Sequence, residues 1–159
     1  MLPVIAIFAS TFLPSTLPFM DPFLFSPYMC LLLGMVLAYF PFGVLLLLKM
    51  SSGKLDNVQP RKGTQVLTAT NPMAARCQAA HNHMLEGYGF FAASVLAALQ
   101  AGVASGVVSQ FATLWVFARC AFVAIYILQN NNAVASLRSL AFAAALVVQS
   151  KLFFLAAGK

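Results

Sequence analysis

Between Pro27 and Leu155 the chain returns four times to stretches of more than twenty predominantly apolar residues, Pro27–Lys49, Pro72–Gln100, Ser105–Leu128 and Val134–Leu155. About twenty such residues in a helix cross the ~30 Å hydrocarbon core of a bilayer, and four in succession leave little else for the chain to become. With 62% hydrophobic and 8% charged residues, an ordinary soluble fold is excluded. The expected fold is an all-α membrane protein, a four-transmembrane-helix antiparallel bundle over residues 27–157.

The connections support this reading. The stretch Met50–Thr70 is the only polar one of any length, whereas the turns at Ala101–Ala104 and Asn130–Asn132 are short and force neighbouring helices antiparallel. Asn71-Pro72 places a capping side chain before a proline that starts a helix at no cost. Gly102 and the Asn run are expected to end the second and third spans, because these residues tolerate left-handed backbone. Gly102 and Gly106 form a GxxxG, read here as part of a turn. Residues 1–26 are apolar but broken by Pro3, Pro14, Pro18 and Pro22, so a partly irregular extension near the membrane interface is expected. Met1–Phe12 lacks the basic segment that precedes a signal-peptide core.

The net charge of +6 comes from nine Lys and Arg against Asp21, Asp56 and Glu86. Nucleic acid is not the implied partner, since the positive residues form no basic run and gather at span ends. Lys49, Lys54, Arg61, Lys62 and Arg76 flank the first loop, while the second turn carries none. The first loop is therefore expected on the cytoplasmic side. Cys30, Cys77 and Cys120 are an odd number without CxxC spacing and read as buried free thiols.

Against this apolar background Glu86, Arg119 and Arg138 lie inside spans and Arg76 at a span's mouth. A charge at mid-helix costs roughly 3 kcal/mol on insertion scales, so each such group needs a partner, water or a ligand. At about 100° per residue from Arg76, His83 falls near 340°, Glu86 near 280°, Asn82 near 240° and Gln78 near 200°, a polar arc that His81 leaves. Arg119 and Tyr126, seven residues apart, share a face of the third span. Arg119 and Glu86 reach similar depth, which predicts an ion pair or shared hydrogen-bond network between them. Arg138 and Ser139 open the fourth span at the same end as Arg76 and Tyr126. Three guanidiniums and a phenol suit either a small ligand with several carboxylates or a thiolate. His81 and His83 point about 200° apart and cannot share a metal.

These positions carry a resemblance. Leu55-Asp56-Asn57-Val58-Gln59-Pro60-Arg61 resembles a DN-x-x-PR motif, Arg76 with Ala80-His81 and Glu86 resembles R-x4-H-x-N-x2-E, and Arg119-x6-Tyr126 is followed by Arg138-Ser139. The chain thereby resembles the MAPEG superfamily, the membrane-associated proteins in eicosanoid and glutathione metabolism. The resemblance implies a homotrimer that binds glutathione between neighbouring subunits, with Arg76, His83, Glu86, Arg119, Tyr126 and Arg138 as its contacts. Arg138 or Ser139 would lie nearest the thiolate, and a lipophilic electrophile would arrive from the bilayer. His83 stands where the family has Asn, Asn82 is displaced by one residue, Ala79 replaces a second Arg, and Phe122 replaces the His of prostaglandin E synthases. The implied function is a membrane-bound glutathione-dependent transferase or peroxidase acting on lipophilic electrophiles. The alternative is a non-catalytic lipid-binding or scaffold member, while a channel fits poorly because the charges cluster at one end.

Overall fold

The computed structural model describes residues 16, 24–129 and 131–159. The expected extension over residues 1–26 lies largely outside them. Five α-helices follow in order: α1 Pro27–Ser51, α2 Pro60–Thr70, α3 Pro72–Gln100, α4 Ser105–Leu128 and α5 Asn132–Ala157. No strand occurs among the described residues.

Local chemistry sets the helix ends. Ser26 accepts from the Met29 N–H and Pro27 opens α1. Asn71 accepts from the Met73 and Ala74 N–H groups at 3.0 and 3.1 Å, with Pro72 in the first helical position. Gly102, at φ 75°, turns the chain out of α3 as expected. The Asn run behaves differently from expectation. Asn131 is extended at φ −147° and caps the start of α5 through the Val134 N–H, and α4 is closed instead by Gln129. An Asn oxygen satisfies a free N–H better than its backbone ends a helix.

The polar first loop, Met50–Thr70, is half helical, since α2 occupies Pro60–Thr70. The Asp56 carboxylate accepts from the Val58 and Gln59 N–H groups at 2.8 and 3.0 Å and folds the chain into Pro60. The Gln59 and then the Val58 hydrogen bond hold this exposed carboxyl below the usual range, so the turn loosens only as pH falls through that lowered value. Lys49, expected among the exposed positive residues, is instead buried at 7% exposure, and its ammonium donates to the Pro60 carbonyl and the Thr64 hydroxyl at 3.1 Å each. Leu67 anchors the other end of α2 against the bundle.

The four long helices alternate in direction. Leu31 with Tyr88 and Ala38 with His81 join α1 to α3, Arg76 with Ile127 and Phe91 with Trp115 join α3 to α4, and Trp115 with Gln149 and Phe122 with Phe142 join α4 to α5. In each pair one number rises as the other falls, the mark of antiparallel packing. At 1.5 Å per residue all four exceed the hydrocarbon thickness. Three of them, α1, α4 and α5, are also apolar enough to cross a membrane. The first half of α3 carries Arg76, Gln78, His81, Asn82, His83 and Glu86, and this polar load separates it from the others.

The core centres on α4. Phe91 and Trp115 stack with centroids 3.7 Å apart and planes within 3°, and the Trp115 indole N–H donates to Gln149 Oε1 at 3.2 Å. Pro41 inside α1 supplies no N–H to the preceding turn. That leaves the Leu37 carbonyl without its helical partner, and at the next carbonyl, that of Ala38, His81 Nδ1 donates at 2.7 Å while its ring settles against Tyr39 and Phe42. That contact explains why His81 falls off the polar arc. Many large apolar side chains remain exposed on α1, among them Val36, Phe40 and Leu47, as a lipid-facing helix requires. Replacing the cap in Asn71→Ala removes the acceptor for two N–H groups, and a loss of about 1 kcal/mol is expected, read as a lower thermal midpoint in detergent.

Candidate functional site

Six side chains from three helices enclose a cavity of about 210 Å³: His83 of α3, Phe122 and Tyr126 of α4, and Arg138, Ser139 and Phe142 of α5. Phe122 and Tyr126 share a face by their i, i+4 spacing, as do Arg138 and Phe142. Four of the seven residues singled out from the sequence thus converge here, His83, Tyr126, Arg138 and Ser139. Arg138 lies with its guanidinium carbon 4.4 Å from the centroid of the Tyr126 ring, and its Nη1 donates to Gln129 Oε1 at 3.2 Å. The His83 ring stands edge-on to Phe122 and tilted against Tyr126, at 6.3 and 5.9 Å between centroids.

The other three residues are placed elsewhere. Arg76 donates from Nε to the Ile127 carbonyl at 3.0 Å and so caps the last turn of α4, where a cation also meets the negative end of the helix dipole. Glu86 does not pair with Arg119. Its carboxylate is 73% exposed and sits 3.5 Å from His83 Nδ1, one turn back on the same helix. Arg119 is 1% exposed, with Nε and Nη1 buried and, among the described residues, without an acceptor. Its guanidinium carbon lies 5.2, 5.5 and 5.1 Å from the rings of Trp115, Phe122 and Phe142. Two of these rings form the cavity wall, so Arg119 stands behind the cavity and not in its lining.

Gly87 explains the missing ion pair. A Cβ at this position would overlap Arg119 Nη2 and stand 2.9 Å from its guanidinium carbon. The guanidinium therefore rests on the bare backbone of Gly87, one residue from Glu86 and at the same depth. Depth was legible from the sequence, but the helix turns Glu86 about 100° away. The polar arc of α3 is in fact divided. His83 faces the α4/α5 cavity, whereas Gln78 and Asn82, joined by a 2.9 Å hydrogen bond, face a groove of about 450 Å³. Lys49, Arg61, Thr64 and Thr68 line the far side of that groove, and Glu86 points outward between the two sites.

Phe142, Gln129 and Gly87 went unrecognised in the sequence. Phe142 follows Arg138 by four residues and was within reach of a spacing argument. Gly87 and Gln129 acquire meaning only through their partners on other helices. Cys30 and Cys77 are buried free thiols as expected, but Cys120 is exposed on the outer face of α4. His81 and His83 turn to different helices, α1 and α4, which fits their angular separation.

The arrangement offers an anion a guanidinium with N–H groups left after the Gln129 bond, a neighbouring hydroxyl and an aromatic wall. An added methyl in Gly87→Ala is expected to displace Arg119 and cost about 1–3 kcal/mol. Gly89, with open space around it, gives the control, because Gly89→Ala is expected to hold or raise the thermal midpoint.

Comparison with known proteins agrees with this geometry at the level of the family. Searches of curated proteins and of solved structures returned no match. A family model does match, over residues 26–158, which takes in all five helices, the cavity and the α3 groove. The chain belongs to the MAPEG family.

Proposed function

We propose that this protein is a membrane-bound, glutathione-dependent transferase or peroxidase that acts on lipophilic electrophiles and works as a homotrimer with its first loop on the cytoplasmic side. One observation carries the reading: Arg138, Ser139, Tyr126 and His83, from three helices, meet at one cavity. The MAPEG family is associated with glutathione in general, and the donor set suits its anionic groups. Bound glutathione would supply a thiol that serves, once ionised, as nucleophile or reductant.

The residues have distinct tasks. Arg138 and Ser139 present N–H and O–H donors at the mouth of the cavity, where positive charge favours the ionised over the neutral sulfur. The Tyr126 ring centroid lies 4.4 Å from the Arg138 guanidinium carbon, and the apolar rings of Phe122 and Phe142 lower the local dielectric, which strengthens the remaining electrostatics. Arg119, buried behind these rings, adds positive potential without touching the ligand.

A cavity of about 210 Å³ is smaller than the ~300–1,000 Å³ common for ligand sites, so one protomer offers only part of the surface a tripeptide needs. In the proposed trimer a neighbouring protomer would supply the rest, and the exposed Glu86 carboxylate and the polar groove on the other side of α3 are the candidates for that role. Arg76 contributes at a distance, by fixing the end of α4 that carries Tyr126.

A non-catalytic lipid-binding role is the second reading, favoured by the largely aromatic cavity wall and by the absence of Arg76 and Arg119 from it. The two diverge in solution. On the first, purified protein binds glutathione saturably and Arg138→Ala weakens thiolate formation about tenfold or more, which is about 1.4 kcal/mol. On the second, glutathione does not bind and Arg138→Ala changes nothing measurable. Cross-linking and mass measurement in nanodiscs test the trimer, with three copies per particle expected.

A further inference from the structure

Gln129, outside the cavity lining, is the least expected partner of Arg138. As the residue that closes α4, its backbone leaves the helix at ψ 136° while its N–H still bonds the Ile125 carbonyl. The side chain is thereby carried past the last turn of α4 toward the second turn of α5. There its Oε1 accepts from Arg138 Nη1 at 3.2 Å, across nine residues of chain. The bond has a geometric consequence. A guanidinium lying over a ring is free to rotate in the plane of that ring, since the cation–π attraction scarcely depends on this angle. A hydrogen bond to one nitrogen removes the freedom. The Tyr126 ring centroid lies 4.4 Å from the guanidinium carbon and the Gln129 bond restricts rotation of the group, so the remaining N–H groups of Arg138 are confined in direction, and Arg138 lines the cavity together with its neighbour Ser139.

We infer that Gln129 is a positioning residue that aims Arg138 at the ligand's sulfur and, being an uncharged amide, does so without cancelling the cation. The inference rests on the glutathione reading above. Gln129 does not line the cavity and acts only through Arg138. A carboxylate in its place would hold the guanidinium at least as firmly but neutralise it. An apolar residue would leave the charge intact and its aim undefined.

The test uses full-length protein in detergent micelles, with the ultraviolet absorbance of bound glutathione thiolate followed against pH. Ionisation releases the thiol proton to solvent and is read directly, without turnover. Gln129→Leu is expected to move the thiolate titration to higher pH, with roughly tenfold less thiolate on its acid side. Gln129→Glu, nearly the same shape and suited to keep the fold, is expected to move it as far or further. Binding of S-methylglutathione, whose sulfur cannot ionise, should stay within about twofold of wild type in both variants. A wild-type titration curve in Gln129→Leu overturns the inference, as does a parallel loss of thiolate and S-methylglutathione affinity, which would mean a general structural role. Absence of thiolate in the wild-type protein itself overturns the glutathione reading and this inference together.

Discussion

A guanidinium shut inside an apolar helix bundle is the constraint around which this molecule is arranged. Among the described residues Arg119 has no carboxylate partner, and three aromatic rings take the place of a buried ion pair. Three aromatic rings surround the cation, and each such contact is worth about 0.5–2 kcal/mol once water is excluded. That enclosure dictates its neighbours. Trp115 is held by the Phe91 stack and by Gln149, Phe122 and Phe142 lean on each other, and Gly87 must remain without a side chain.

The same rings have a second face, and it forms the cavity. Phe122 and Phe142 separate a buried cation from the space where Arg138, Ser139, Tyr126 and His83 converge. The charge that is costly to the fold therefore lies one ring's thickness from that space. Arg76 and Gln129 secure the edges, one by capping α4 and the other by tethering Arg138. Glu86 is left outward-facing on α3, 3.5 Å from His83 Nδ1.

Much of this was legible in the sequence, and what was not has definite causes. Apolar run length gave the four long helices to within a few residues, and Asn71-Pro72 marked a boundary that the hydrogen bonds reproduce. The helix α2 was hidden because Pro60 and Gly63 sit in a polar stretch, where the Lys49 tether and the Asp56 turn outweigh composition. Four of seven candidate residues meet at the cavity because short turns make α3, α4 and α5 antiparallel and bring residues of matching depth together, whereas Arg119, seven residues from Tyr126 on the same helix, lies behind the cavity wall. The pairing of Glu86 with Arg119 failed for a complementary reason. Phase along one helix says which residues lie together, but the rotation of that helix against the next is set by details such as the bare backbone of Gly87.

The central claim is that the cavity between α3, α4 and α5 holds the sulfur of glutathione. An experimental structure of the assembled protein soaked with glutathione tests it directly. The account predicts the sulfur within hydrogen-bonding distance of the Arg138 guanidinium or the Ser139 hydroxyl, with Arg119 still enclosed behind Phe122 and Phe142. Glutathione bound elsewhere, or a lipid chain filling the cavity in its place, would contradict it.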